Sequence, residues 1–207
     1  MLDEFIWIKR NEYSIALKYI IDDKIDYYTD VKKIVFYLNK EYEIFNDNLL
    51  YLKNIITNYL KRINDYVIEI DDQIDIENIG LLQNKYYYCI SQGIPLSNVK
   101  ELLLDNEEEW IGLKYSFFES KKYSTWIYKK GNKINIKISP LFQCFFDDFS
   151  ISKYKKFIEN YNDILNFEIK ESELVYLYDF INEIYINWSR KNKWFIVFFK
   201  GGKTYYD

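Results

Sequence analysis

A spaced set of carboxylates with a lysine is the part of the sequence best suited to catalysis. Glu168-Ile169-Lys170 follows Asp147, Asp148 and Asp163. In metal-dependent nucleases such carboxylates hold a hard divalent cation, while the lysine helps to organise the attacking water. Glu119-Ser120-Lys121 repeats the triplet in a chain rich in both residue types. Alternating exposed side chains on a strand give the same pattern, so a nuclease is one hypothesis among several.

The absence of histidine excludes several classes of enzyme. With 0 His in 207 residues, the chain cannot form a Ser-His-Asp triad, a Cys-His pair or a histidine-ligated zinc site. Gly202-Lys203-Thr204 matches the end of a phosphate-binding loop, but that loop needs glycine where Val197 stands and a helix after it. The paired aspartates lack the ligand spacing of a calcium loop. We therefore predict no metal ion or other cofactor.

Charge is divided unevenly along the chain. The net charge is −4, yet residues 63–109 carry eleven acidic residues against two lysines, and residues 113–139 carry seven lysines against one glutamate. Such a field attracts partners of opposite charge. We predict that the acidic zone binds a positively charged macromolecule, with aromatic side chains as anchors. The predicted contact residues are Asp71, Asp72, Asp75, Glu77, Glu107, Glu108, Glu109, Trp126 and Tyr128.

A β-hairpin is the best-specified element of the sequence. Residues 133–139 alternate between polar and aliphatic side chains, and Gly131-Asn132 suits a two-residue type II′ turn. That turn sets a register in which Ile127 meets Ile136 on one face and Trp126 meets Lys137 on the other. A preceding strand is predicted at 114–119, and Pro140 is predicted to end the last strand.

The outer face of this hairpin also suits single-stranded nucleic acid. Bases could stack on Trp126 and Tyr128 while Lys130 and Lys137 reach phosphates. The neighbouring acidic zone opposes this interpretation, because phosphate contacts dominate such affinity. Cover of both rings by a helix is the structural alternative. We therefore expect a protein partner, and a nucleic-acid-binding module stays an alternative.

Periodicity predicts the remaining elements. Predicted helices lie at 13–20, 31–38, 47–66, 99–103, 152–161 and 172–188. Predicted strands lie at 5–8, 86–90, 167–170 and 194–199, and an acidic loop at 71–82. Hairpin-linked strands cluster, which predicts an α+β fold whose antiparallel sheet has the hairpin (about 113–139) at its centre and amphipathic helices against it. Residues 1–207 are predicted to form a single domain, helix-rich over 1–66 and mixed over 67–207.

Cysteine placement and hydropathy predict the compartment. Cys89 and Cys144 fit no metal spacing, and the apolar neighbours of each predict buried free thiols. No apolar run has the length of a signal peptide or a membrane span. We therefore expect a cytoplasmic protein that does not enter a membrane.

One segment resembles a known class of proteins. Residues 110–142 contain Trp-Ile-Gly-Leu-Lys-Tyr, then Tyr-Ser-Thr-Trp-Ile-Tyr, a glycine turn and Ile-Asn-Ile-Lys-Ile-Ser-Pro. This order is similar to the hairpin of small bacterial immunity proteins that accompany contact-dependent or polymorphic toxins. The resemblance implies a compact cytosolic fold without enzymatic activity, whose surface blocks one cognate toxin. It assigns no functional residue to this chain.

The sequence favours a non-enzymatic, protein-binding inhibitor. Many toxins of that class are nucleases with basic clefts, which an acidic surface with aromatic anchors would complement. A phage-encoded inhibitor of a host defence nuclease is physically the same hypothesis. The alternatives are a metal-dependent nuclease that uses Glu168 and Lys170, and a nucleic-acid-binding module that uses the hairpin.

Overall fold

Two antiparallel sheets are the framework of the computed structural model, which describes residues 4–20, 33–39, 41–48, 53–58, 75–95, 110, 112–145 and 149–191. The first sheet contains β1 (Glu4–Lys9), β2 (Ser14–Ile20), β3 (Lys33–Leu38) and β4 (Tyr42–Asn48). The second contains β5 (Ser116–Glu119), β6 (Tyr123–Lys130), β7 (Lys133–Pro140) and β8 (Leu165–Ile169). Strands in each sheet are hydrogen-bonded in chain order.

Helices flank these sheets and confirm the predicted α+β class. Within the described residues they are α1 (53–58), α2 (Ile79–Ser91), α3 (Ile151–Glu159) and α4 (Glu171–Lys191), with short 3-10 turns at Ile76–Asn78 and Leu113–Tyr115. None of the described helices is long and apolar enough to cross a bilayer.

The hairpin of β6 and β7 has the predicted register. Trp126 pairs with Lys137 and Ile127 with Ile136. Gly131 has a φ of +61°, and Asn132 is not in the positive-φ region. A positive φ at the first central residue alone is what a type II′ turn needs, and glycine adopts it without steric cost. Pro140 ends β7, as predicted.

The helices predicted at 13–20 and 31–38 are wrong where the structure describes them, because residues 14–20 form β2 and residues 33–38 form β3. Ile15, Ala16 and Leu17 are all buried. A continuous apolar run of this kind fits a buried strand as well as a helix, so periodicity alone could not decide. The N-terminal part is therefore strand-rich over β1–β4, and the description of residues 1–66 as helix-rich is corrected. The strand predicted at 5–8 is confirmed as β1.

The strand predicted at 86–90 is also wrong, because these residues belong to α2. Of the loop predicted at 71–82, the described residues 75–82 contain a 3-10 turn at Ile76–Asn78 and then the first turn of α2. The aromatic content of Tyr86-Tyr87-Tyr88 is typical of a strand. In the helix, however, each of the three rings contacts a different aromatic residue. Ring centroids lie 5.6 Å apart for Tyr86 and Trp110, 5.8 Å for Tyr87 and Phe145, and 4.2 Å for Tyr88 and Tyr154. Successive helical residues point about 100° apart, so the three rings reach different partners.

Most other predicted elements are confirmed with shifted ends. Residues 53–58 of the helix predicted at 47–66 are helical, whereas 47 and 48 still belong to β4. α3 begins at Ile151, and its N-cap is Ser150, whose hydroxyl accepts a hydrogen bond from the amide of Lys153. β8 and α4 match the strand and helix predicted near 167–170 and 172–188. The elements predicted at 99–103 and 194–199 lie outside the described residues.

The two sheets share one hydrophobic core. The ring of Trp7 in β1 lies 6.1 Å from Phe36 of β3 and 6.2 Å from Phe117 of β5. The register of β5 shifts between Ser116 and Phe118, and both Phe117 and Phe118 are buried. Three α4 residues that are fully buried complete this core: Leu174, Leu177 and Ile181.

α2 lies on the opposite face of the second sheet. The side chain of Asn84 donates to the carbonyls of Gly80 (2.8 Å) and Pro140 (3.0 Å), and accepts from the amide of Phe142 (2.7 Å). Asn84 is fully buried, and an amide at such a position is stable only when its donors and acceptor are paired. The bonds to Pro140 and Phe142 fix α2 on the end of β7, while the bond to Gly80 lies within the helix.

Candidate protein-binding face

The structure places two of the predicted acidic contact residues directly before α2. Asp75 and Glu77 are exposed in and beside the 3-10 turn Ile76–Asn78. Asp71, Asp72, Glu107, Glu108 and Glu109 lie outside the described residues. We call the exposed surface of α2, the turn at 75–78 and the adjoining Glu119 the α2 face.

A buried lysine holds this acidic turn against the sheet. The side chain of Lys137 in β7 is only 2% exposed. Its Nζ donates to the carbonyl oxygen of Glu77 at 2.6 Å and lies 3.0 Å from Oδ2 of Asp163. The carboxylate of Glu77 is 4.0 Å away. Because a buried ammonium group is tolerated only with such partners, the position of the turn is coupled to the charge of Lys137.

Asp163 extends this contact into a polar cluster. Its Oδ1 accepts hydrogen bonds from the hydroxyls of Ser139 and Tyr161, each at 2.8 Å. Burial raises the pKa of Tyr161 well above its usual range, and the carboxylate of Asp163 adds to the shift. Tyr161 therefore stays protonated and acts as a hydrogen-bond donor. Gly80 of α2 packs directly on Ser139 and Tyr161, where a Cβ would overlap both side chains.

The acidic turn also contacts the lysine-rich hairpin. Nζ of Lys130 lies 3.3 Å from Oε1 of Glu77, and both side chains are largely exposed. The side-chain amide of Asn78 donates to Asp75 at 2.8 Å. The two oppositely charged zones of the sequence therefore meet at this turn, and Glu77 is partly neutralised. Exposed pairs of this kind contribute at most about 1 kcal/mol, so a stronger cation can displace Lys130.

The anchor roles predicted for Trp126 and Tyr128 are wrong in this fold. Their exposed fractions are 0% and 2%. The ring of Trp126 lies 6.4 Å from that of Trp110, which in turn stacks on Tyr86 of α2. Burial raises the pKa of Tyr128 to about 12, and the nearby charge of Glu77 adds to the shift. Neither ring can receive a base or a partner side chain, which also removes the predicted stacking platform.

The residue that follows the second acidic segment in the sequence packs on the same helix. Trp110 follows Glu107–Glu109 directly in the chain. It is buried, and its ring stacks on Tyr86 in the middle of α2 with a centroid distance of 5.6 Å. Of the described residues next to the two acidic segments, Asp75 precedes α2 and Trp110 contacts it.

The carboxylate–lysine set is dispersed where the structure describes it. Glu168 is exposed and lies 2.7 Å from Nζ of Lys133, whereas Asp163 belongs to the buried cluster with Lys137. The backbone amide of Lys170 donates to Glu173 at 2.9 Å, and its side chain is exposed. Asp147 and Asp148 lie outside the described residues. Within the described ranges, no group of three acidic or cysteine side chains is placed to hold a metal ion.

Sequence reasoning missed a polar cluster at the other end of the α2 face. Oε2 of Glu119 accepts from the side-chain amide of Gln83 at 3.1 Å and from the hydroxyl of Tyr87 at 3.3 Å. Desolvation raises the pKa of Glu119 above the usual range of a glutamate and that of Tyr87 to about 12. The signal for this cluster in the sequence is Glu119, which ends a predicted strand and is the only acidic residue among the lysines of that part of the chain.

Comparison with protein-family models, with curated proteins and with solved structures gave no match for this chain.

Proposed function

We propose that this chain is a non-enzymatic inhibitor that binds another protein through its α2 face. In this proposal it is an immunity protein that neutralises a cognate bacterial toxin with a basic surface. A phage-encoded inhibitor of a host nuclease would use the same physical interaction. The proposal depends on the chemistry of the α2 face and on the resemblance of residues 110–142 to immunity proteins.

The observation that carries the proposal is the placement of the two described acids at the start of one helix. Asp75 and Glu77 are exposed and lead into α2. Trp110, which follows Glu107–Glu109 in the sequence, stacks on Tyr86 of the same helix. Exposed carboxylates at such a position attract a positively charged partner and orient it as it approaches.

Rigid support of the acidic turn strengthens the proposal. Lys137 fixes the backbone of Glu77 with a hydrogen bond of 2.6 Å, and Gly80 allows α2 to sit directly on Ser139 and Tyr161. A partner that binds a preformed surface does not have to order it first, so less binding free energy is lost. Asp75 and Glu77 are exposed on this support.

An inhibition assay tests the proposal directly. Nuclease toxin domains with a basic surface, beginning with any that neighbouring genes encode, are each mixed with increasing amounts of the purified chain, and nucleic-acid cleavage is followed. We expect cleavage to stop at about one chain per toxin domain, as for a tight complex in the nanomolar range. The chain alone, with Mg²⁺ or Mn²⁺, should leave plasmid DNA and RNA intact.

Two results would overturn the proposal. One is metal-dependent cleavage by the chain itself that is lost in Lys170→Ala and retained in the matched variant Lys153→Ala, since both lysines are exposed. The other is full toxin activity in the presence of excess folded chain. Circular dichroism on each variant shows whether the fold is retained, so that a loss of cleavage can be assigned to the substituted side chain.

A further inference from the structure

The carboxylate of Glu119 has hydrogen-bond capacity that its neighbours leave unused. Oε2 accepts from Gln83 at 3.1 Å, and the hydroxyl of Tyr87 lies between the two oxygens at 3.3 and 3.4 Å. These distances are long for contacts to a charged acceptor, which are usually 2.5–2.9 Å. A carboxylate has about four lone-pair positions. The side chains that face it are those of Gln83, Tyr87 and Ser124, so capacity for a further donor remains. No ion pair links Glu119 to a cation within the described part of the chain.

Exposed apolar side chains lie beside Tyr87, whose hydroxyl contacts this carboxylate. The ring of Phe145 is 60% exposed and stands edge-on to that of Tyr87, with centroids 5.8 Å apart. Ile90, one turn along α2 from Tyr87, is 40% exposed. The surface therefore presents an acid, an aromatic ring and an aliphatic side chain together. Lys121 and Lys122 follow in the turn after β5 and are also exposed.

We propose that Glu119, Tyr87 and Phe145 form a binding site for an arginine side chain of a partner protein. The planar guanidinium group can donate two parallel hydrogen bonds to a carboxylate and stack on an aromatic ring. Lysine provides a point charge without the planar fork, and it fits both features less well. Ile90 would contact the methylene groups of the arginine.

The biological meaning of this site rests on the proposed function. The site adds one chemical feature of the basic partner, an arginine side chain. It lies towards the C-terminal end of α2, whereas Asp75 and Glu77 precede its N-terminus. A helix rises about 1.5 Å per residue, so the ten residues from Glu77 to Tyr87 separate the two by roughly 15 Å. A partner with two basic groups at that spacing could contact both.

A peptide titration tests the site without any toxin. The probe is acetyl-Gly-Arg-Gly-amide, and its control is the same peptide with citrulline, which has the shape of arginine but no charge. Binding is followed at low salt by the NMR signals of the aromatic rings. We expect saturable shifts for Phe145 and Tyr87 with the arginine peptide, and binding at least about fivefold weaker with citrulline.

Substitutions identify the groups responsible. Glu119→Gln and Phe145→Ala should each weaken binding of the arginine peptide at least about fivefold, whereas Glu168→Gln, another exposed glutamate of the same sheet, should leave it within about twofold. Equal shifts with the two peptides, or unchanged binding in Glu119→Gln, would overturn the proposed site. Because no toxin is present, this failure is distinguishable from a failure of the proposed inhibition, which the cleavage assay measures separately.

Discussion

Replacing Lys137 with methionine is expected to lower the free energy of unfolding by about 3 kcal/mol, because removal of one partner from a buried ion pair leaves the other uncompensated. Asp163 would lose the ammonium group that lies 3.0 Å from its Oδ2, and the carbonyl of Glu77 would lose its donor. For a chain of 207 residues, the loss corresponds to a decrease in Tm of roughly 6–12 °C. Chemical denaturation and thermal unfolding measure both quantities.

A second lysine of the same strand is the matched control. Lys133 also lies in β7 and pairs with Glu168 at 2.7 Å, but both side chains are more than half exposed. Lys133→Met should therefore change the free energy of unfolding by at most about 1 kcal/mol. The double variant Lys137→Met/Asp163→Asn should recover part of the loss, because both charges are removed together. Equal destabilisation by the two single lysine variants would show that Lys137 does not hold the acidic turn.

Gly80→Ala is expected to destabilise the protein by about 2–3 kcal/mol, although alanine favours helices over glycine by up to about 1 kcal/mol. A Cβ at position 80 would overlap the hydroxyls of Tyr161 and Ser139 and the Cβ of Ser139. α2 would have to move away from β7, which would disturb the contacts of Asp163. Chemical denaturation of the variant measures the effect.

Two further variants test the cause. Gly93 has a φ of +62° and open space around it, so Gly93→Ala should cost only the backbone strain, about 1–2 kcal/mol. Tyr161→Phe removes one of the overlapping atoms, and it should make a subsequent Gly80→Ala substitution less costly than in the original chain. If Gly80→Ala were neutral, the close approach of α2 to the sheet would be contradicted.

The hairpin could be predicted from the sequence because its determinants are local. Alternation over residues 133–139 fixes which side chains share a face, and Gly131 supplies the positive φ of the turn. The class of fold followed from the clustering of strands around it. The strand β2 could not be predicted, because Ile15, Ala16 and Leu17 are buried together and leave no polar face to reveal the period.

The candidate site depended on contacts that sequence spacing does not contain. Burial of Trp126 and Lys137 requires α2 to cover the outer face of the hairpin, and three consecutive tyrosines in α2 had indicated a strand. A prediction that assigns residues 86–90 to a strand contains no helix that could cover the outer face of the hairpin, so Trp126 and Tyr128 are predicted to be exposed. The pairing of Lys137 with Asp163 joins β7 to the loop before β8, a contact that depends on the packed fold.

The opposite charges of the two zones can be recognised in the sequence, whereas the contact between them cannot. In the structure Glu77 contacts Lys130 of the hairpin. The turn that contains Glu77 and the strand that contains Lys130 are far apart in the sequence and become neighbours only when the chain folds. The acidic α2 face is therefore edged by lysines, which favours partners that present discrete cationic side chains over a uniform polyanion or polycation.

The central claim is that acidic residues before α2 contact a basic partner, and charge reversal tests it most directly. Affinity for the basic toxin domain that the inhibition assay identifies is measured for Asp75→Lys/Glu77→Lys and for the control Asp179→Lys/Glu183→Lys, which changes two exposed acids of α4 by the same charge. The account predicts at least about tenfold weaker binding for the first variant and a change within about threefold for the second. Equal weakening by both variants, or unchanged affinity after reversal of Asp75 and Glu77, would contradict it.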